Sequence, residues 1–298
     1  MNVAVARHEP ETLTVAASAC STRRGLCSGT DLLHTALASA MIDRPAYFAR
    51  IGHTGSTKPT LGVLRELAAR HLAHIPFEGL DPFLGVPVDL DPASVQGKLI
   101  GSRRGGYCHE QNALFHDVLA ALAFSVSALG GRVMWAFQGQ RPPLTHRLTL
   151  VELPEGNFIV DVGFGGQSPS EPLRLEPGLE QATPHGTYRI DREGATYELQ
   201  LRVDGRWDAM YQFTLAAQAP MDFEVANWFT STHPRSLFTQ NLVVCRIAGE
   251  TRVNLLNTEL SVRQPDGPDD RADGRAGPVT DRGGARGSAA PGAGRARP

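Results

Sequence analysis

The chain has 298 residues, enough for one large domain or two to three small ones. Its 29 Lys and Arg against 31 Asp and Glu leave a net charge of -2, which argues against nucleic acid as the main partner, because binding phosphates needs a basic surface. No run of about eighteen apolar residues is present to cross a membrane as a helix. The apolar patch 13–17 is too short and too polar for a secretory leader, so a cytoplasmic protein is expected. Of the four cysteines, Cys20, Cys27, Cys108 and Cys245, only the first two lie near each other, and their spacer fits no metal or redox motif. Free thiols and no metal site are therefore expected.

Residues 1–43 hold small and polar residues, with a brief helical hint at Leu32, Leu33 and Leu37. They read as a disordered N-terminal extension, and Met41 is an alternative start. From Ala46 to about Phe124 the pattern is helical. Leu61, Leu64, Leu67, Ala68, Leu72 and Ile75 recur at spacings of three and four, which builds one apolar stripe. Thr60 is its expected N-cap and Pro76 its stop. A second helix is expected from about Cys108 to Ala123, with Leu114, Phe115, Val118, Leu119 and Leu122 inward. From Phe124 to about Leu215 short β-rich segments take over, among them Arg147–Leu153 and Asn157–Val162. Asp191–Ala195 reads as a turn before Tyr197–Val203, and Asp204-Gly205 as a further hairpin turn. Strands at this spacing imply a small barrel or sandwich. A short helix, Phe223 to Phe229, and the strand-like pieces Leu242–Ile247 and Thr251–Leu256 follow. After Gln264 the chain is mostly Gly, Pro, Ala, Arg and Asp. Such a segment cannot bury enough surface to offset its ordering entropy, so disorder is expected there.

The stretch from Arg103 to Asn112 carries the chemistry. Gly105 and Gly106 permit a tight turn, and Cys108 then opens a helix, whose N-terminus favours an anion. The unpaired N–H groups of that first turn can face an oxyanion. A packed, inert cysteine behind a glycine turn is the plainer alternative. Among ten histidines, His146 stands at the start of a strand, where scaffolds present catalytic groups, although a lone histidine there is more often a surface residue. Asp161 follows the apolar run Phe158-Ile159-Val160. A carboxylate inside such a strand is costly without a partner, and an imidazolium would supply one. Capping the Gly loop that follows is its other reading.

Together these pieces resemble the arylamine N-acetyltransferases. The segment Arg104–Cys108 is similar to that family's Arg-Gly-Gly-aromatic-Cys signature, Thr145-His146 to its Thr-His before a strand, and Asp161–Gly165 to its Asp-Val-Gly-Phe-Gly turn. Further likeness lies in 47–52, in Ile75-Pro76-Phe77-Glu78 and in the stretch from Thr232-His233-Pro234 to Phe238, so that it spans about residues 44–263. The resemblance implies an α+β, thiol-protease-like fold with a helical domain (44–124), an antiparallel β-barrel domain (125–221) and a small α/β lid (222–263). It implies Cys108 as nucleophile, His146 as base and Asp161 as orienting carboxylate. Acetyl-CoA would be the donor, and an arylamine, arylhydrazine or arylhydroxylamine the acceptor. Trp135, Thr145, Phe164, Gly165 and Phe238 fall where the family contacts CoA or the acceptor, and Glu78 with Arg104 where it has a buried ion pair.

Three departures stand out. His109 replaces a residue that is more often apolar and reads as a surface imidazole at the helix start. Gly79 replaces a common Asn and would loosen the loop after Glu78. The likeness fades near Arg263, which would leave the lid incomplete. Other readings are an amide synthase that releases or cyclises a carrier-bound polyketide, a Cys-His-Asp hydrolase, and a non-catalytic binding protein.

Overall fold

The computed structural model describes residues 42–135, 139 and 141–263; residues 1–41 of the N-terminal extension, with Cys20 and Cys27, and the Gly/Pro/Arg tail lie outside these residues, whereas Ile42 is buried in the core and Asp43 caps the first helix. Helix α1 (Arg44–Ile51) starts where the Asp43 carboxylate accepts the Ala46 N–H. Helix α2 (Leu61–His74) starts at the expected Thr60 cap, and its Val63, Leu64, Leu67, Ala68 and Leu72 form the buried stripe. It stops at Ile75, because a residue before proline disfavours helical backbone. Strand β1 (Phe77–Glu78) and helices α3 (Leu80–Phe83) and α4 (Pro92–Gln96) are short, and α4 runs into one π-helical turn, Gly97–Gly101. Helix α5 (Cys108–Ala121) packs Leu114, Phe115, Val118 and Leu119 into one core with α1, α2 and the strand residues Val151 and Val160.

Eight strands then form one antiparallel sheet. They are β2 (Ser125–Val133), β3 (His146–Leu153), β4 (Gly156–Val160), β5 (Leu173–Arg174), β6 (Gln181–Thr183), β7 (Gly186–Glu193), β8 (Thr196–Val203) and β9 (Arg206–Ala217). Their order is β5-β4-β3-β2-β9-β8-β7-β6. The sheet curls into a nearly closed barrel around Leu129, Leu148, Ile159, Leu199, Met210 and Tyr211. A side chain bridges its two ends. Gln181 Oε1 accepts the Arg174 N–H at 2.7 Å, and Gln181 Nε2 donates to Arg174 O at 3.0 Å. The amide thus pairs as a neighbouring peptide would. Asp204 and Gly205, with φ of 49° and 76°, make the expected hairpin turn. The β7–β8 turn is shorter than expected, since Arg192 and Glu193 still pair with Tyr197 and Thr196. Asp191, Arg192 and Glu193 are polar because that end of the hairpin is exposed, not because the chain turns there.

Helix α6 (Pro220–Thr232) is longer than the sequence pattern implied. Pro220 suits a first helical position, and Asp222 accepts the Ala219 N–H at 2.9 Å. At the other end Thr230 and Ser231 donate their hydroxyls to the carbonyls four residues back, which hides the helix from a propensity reading. Helix α7 (Leu237–Gln240) and strands β10 (Val243–Ala248), β11 (Thr251–Leu256) and β12 (Glu259–Arg263) complete the fold. The second sheet has the order β1-β10-β11-β12, with Phe77 opposite Cys245. The lid sheet therefore takes a strand from the helical part, which no local pattern announced. Gly79 does not loosen its loop. A Cβ there would lie 2.8 Å from Phe238, whose ring occupies the space that a side chain would need.

Two polar chains secure the turn before α5. Glu110 and Asp81 share Lys98, each at 2.6 Å, and Asp81 and Glu78 share Arg104, each at 2.8 Å. Glu78 and Arg104 thus form the expected ion pair, with Glu78 buried and Arg104 partly exposed. Deeper in, Gln111 Nε2 donates to Pro76 O at 2.8 Å and to Gly106 O at 3.2 Å. Its Oε1 must then accept, so His71 Nε2 donates to it at 2.7 Å, and His71 Nδ1 accepts the Tyr47 hydroxyl at 2.9 Å. This arrangement requires a neutral His71, and burial pushes its pKa down to about 4. Between pH 6.5 and 4 the unfolded chain binds the proton and the folded chain does not. The stability that His71 contributes is therefore full above 6.5 and lost as pH falls towards 4, on the order of 3 kcal/mol. Urea denaturation at a series of pH values should show this acid-side loss, and His71→Gln should make it shallower.

Candidate active site

Cys108 is the first residue of α5, and the turn that delivers it has no room for side chains. A Cβ on Gly105 would stand 2.1 Å from Pro76 O, and one on Gly106 would stand 2.7 Å from Glu110 Oε2. That carboxylate is engaged in accepting the Tyr107 N–H at 3.1 Å, which closes the helix start. The Cys108 thiol is buried, 3.9 Å from Thr145 O, and close enough to His146 to help raise its pKa. His146 opens β3, and its Nε2 lies 2.7 Å from Asp161 Oδ2, which leaves Nδ1 as the ring nitrogen free to meet the sulfur.

Asp161 lies one residue past β4, not in mid-strand as its apolar flanks implied. Its two oxygens meet the two partners separately. Oδ1 accepts the Gly163 N–H at 2.9 Å and so caps the glycine turn, while Oδ2 faces the imidazole. Asn112, one helical turn after Cys108, donates to Oδ1 at 2.8 Å and accepts the Val162 N–H at 3.0 Å. Burial alone would raise Asp161, but His146, Asn112 and Gly163 hold it below the usual carboxylate value. Burial alone would likewise lower His146, but Asp161 and Cys108 raise it to about 10. Rings enclose the imidazole. Phe164 meets it edge-on at 5.4 Å and Tyr211 lies at 5.0 Å, with the Tyr211 hydroxyl beside Asp161.

His109 departs from expectation. It is not a surface imidazole but fully buried, edge-on to Tyr107 at 5.5 Å and to Phe223 of α6 at 6.4 Å. Helix α6 covers the side of α5 on which it stands, so the position suits an aromatic ring, and His109 fills it as one. Burial, with the nearby charges of Arg147 and His146, pushes its pKa down to about 3.

A cavity of about 600 Å³ opens over Cys108 and His146, within the range of small-ligand sites. Trp135, Thr145, Phe164 and Phe238 line it as expected. Gly165 is not on its wall: at φ 90° it turns behind the surface, against Phe77 and the Cys245 sulfur. Phe77 and Cys245 themselves reach the cavity, from the paired strands β1 and β10. Sequence reasoning missed Asn112, Tyr211 and Cys245. Asn112 alone had a local signal, since its spacing of four from Cys108 puts both on one face of the helix.

A buried thiol at a helix N-terminus, with an imidazole and a carboxylate behind it and a ligand-sized cavity above, is an arrangement in which a cysteine can act as a nucleophile. Known proteins narrow the class. The sequence pattern of the N-acetyltransferase family matches residues 60–278. The arylamine N-acetyltransferase of Mycobacterium tuberculosis is 45% identical over 231 residues, 76% of this chain and 82% of that protein. The solved structure of the Mycobacterium marinum arylamine N-acetyltransferase superposes with a TM-score of 0.74 at 42% identity, covering 76% of this chain and 85% of that one. Its complex with CoA superposes with a TM-score of 0.73 at 42% identity, covering 74% and 83%. The chain belongs to the N-acetyltransferase family.

If Asp161 holds the proton on His146, then Asp161→Asn should let burial dominate. The His146 imidazole should then titrate below its ordinary value of about 6.5 in place of well above it, as read from histidine NMR shifts against pH. An unmoved titration would show that another group sets it.

Proposed function

We propose that this chain is an arylamine N-acetyltransferase that moves an acetyl group from acetyl-CoA, through acetyl-Cys108, to an arylamine, arylhydrazine or arylhydroxylamine. The observation that carries the reading is the buried line from Cys108 through His146 to Asp161 at the floor of the large cavity, in a chain of this family. In the first half-reaction the proton given up by Cys108 resides on His146, and the sulfur attacks the thioester carbonyl carbon. N–H groups of the first turn of α5 face the oxyanion. The carbon–sulfur bond to CoA then breaks, and CoA leaves with a proton from His146. In the second half-reaction the amine nitrogen attacks the acetyl carbon and gives its proton to His146. The bond to Cys108 breaks, and the amide leaves with the thiol restored. Kinetics are ping-pong.

Asp161 holds the imidazole in orientation through both halves. Trp135, Thr145, Phe164 and Phe238 contact donor and acceptor from the cavity wall, and Gly165 supports them from behind. The helical part (44–124) brings the nucleophile, the barrel (125–221) brings base and carboxylate, and the lid (222–263) roofs the cavity. A cytoplasmic place of work belongs to this proposal; no helix among the described residues is long and apolar enough to cross a membrane. The relatives described above are acetyltransferases, which favours this reading over a polyketide amide synthase.

Intact-protein mass spectrometry tests it. With acetyl-CoA and no acceptor the protein should gain one acetyl group, an added aromatic amine should discharge it, and Cys108→Ser should gain none. His146→Gln should slow acetylation by ~10²–10⁴. A folded wild-type protein that gains no acetyl group would overturn the acetyl-CoA reading.

A further inference from the structure

Arg252 stands on β11, in the lid sheet, yet its guanidinium is buried and its partners are all in the barrel part. Its Nη1 donates to Gly166 O at 2.7 Å. Its Nη2 donates to Ser168 O at 2.9 Å, to His185 O at 3.1 Å and to the Tyr188 hydroxyl at 2.9 Å. None of these acceptors is a carboxylate, so a cation has been taken out of water to hold three carbonyls and a phenol. Burying a cation is costly, and satisfying it with neutral acceptors only makes sense structurally where their positions are worth fixing.

Two of those acceptors belong to the loop that follows Asp161. Ser168 also accepts the Phe164 N–H on its hydroxyl at 2.9 Å, and its own N–H donates to Gly165 O at 3.0 Å. Gly166 lies flat against Asn254, two residues beyond Arg252 on the same strand, where a Cβ would stand 2.4 Å from Asn254 Oδ1. The lid sheet therefore grips the loop on both sides of Gly166. The free end of that grip is the Phe164 ring, edge-on to His146 and on the cavity wall beside Cys108.

We propose that Arg252 is a positioning residue that seats the lid sheet on the 163–168 loop and thereby holds Phe164 against the imidazole, so that acetyl-Cys108 is kept for the amine acceptor and not lost to water. This rests on the acetyl-transfer reading above. The competing step is hydrolysis. Water oxygen bonds to the acetyl carbon, the carbon–sulfur bond to Cys108 breaks, and water's protons go to the thiol and, through His146, to solvent, with acetate leaving. A phenyl ring that shields the acyl carbon slows this step without taking part in it. Arg252 touches neither substrate, so its loss should act on the lifetime of the intermediate and not on its formation.

The experiment follows acetyl-Cys108 by rapid quench and intact mass in the full chain, without acceptor, for wild type, Arg252→Lys and Ser168→Ala. Lysine keeps the charge but cannot span the four acceptors, and the alanine change removes only the Phe164 N–H anchor, so it tests the idea if the lysine protein folds poorly. In both variants the acetylation rate should stay within ~3-fold of wild type, while the acceptor-free lifetime of the acetyl-enzyme shortens by ~5-fold or more. Gly62→Ala, at an open position on α2, should leave both rates unchanged. An unaltered lifetime, or a parallel fall of acetylation and lifetime, would overturn the proposal. Absence of acetyl-enzyme in wild type would overturn the acetyl-transfer reading beneath it, so the two failures are distinguishable.

Discussion

The His146 and Asp161 side chains face each other at 2% and 0% exposure, and the surroundings must offset what that burial costs. A buried ion pair is tolerated only where its remaining lone pairs and protons are satisfied. Here the second carboxylate oxygen receives two N–H groups, one from Asn112 on the helix that Cys108 opens and one from the turn that Asp161 begins. The same Asn112 binds the Arg147 and Val162 backbones. One amide thus ties α5, β3 and the end of β4 together at the point where Cys108, His146 and Asp161 meet. The helical part and the barrel share a core there, because Val151, Val160 and Val162 pack with the helices and not with the barrel interior.

The glycine turn after Asp161 serves both sheets. Gly163 sits against the start of α5, where a Cβ would be 3.0 Å from the Cys108 Cα, and Gly166 sits against the lid strand β11. Between them Phe164 points into the cavity. Backbone this close to three different elements leaves no room for side chains, which accounts for the glycine density of the segment. The turn before Cys108 obeys the same constraint from the opposite side, wedged between Pro76 and Glu110.

Those two glycine turns are the parts of the site that a reader of the sequence can find, because a tight approach demands glycine in runs. Cys108 adjoins one such turn and Asp161 the other, whereas His146 only opens a strand, and it was the resemblance to the N-acetyltransferases that joined the three. The helix stripe of α2 and the Asp204-Gly205 hairpin were legible from period and turn chemistry. His109 was misjudged because its burial comes from Phe223, far along the chain, and no local pattern reports a helix that arrives later to cover a position. The same holds for β1. Two residues have no periodicity, and Phe77 becomes a strand only because Cys245 pairs with it. Tyr211 and Arg252 act through contacts of this long-range kind, and their side chains carry no signature of their own. The turn assigned to 191–195 erred in the other direction, since exposed polar residues inside a strand look like a loop.

The pairing of β1 with β10 also has a kinetic side. Contacts between segments near each other in sequence form early, and pairings that close a long loop wait until its entropy cost can be met. Most of the helical core comes from the first part of the described chain plus the barrel strands, and Ile247 of β10 joins it last. The second sheet needs residues from both ends of the described chain. During synthesis the thiol can therefore be in place, with its helix formed and its imidazole partner beside it, before β10 has emerged to pair with Phe77. The cavity roof is then the last of the described parts to form, and a chain released early would leave Cys108 with nothing over it.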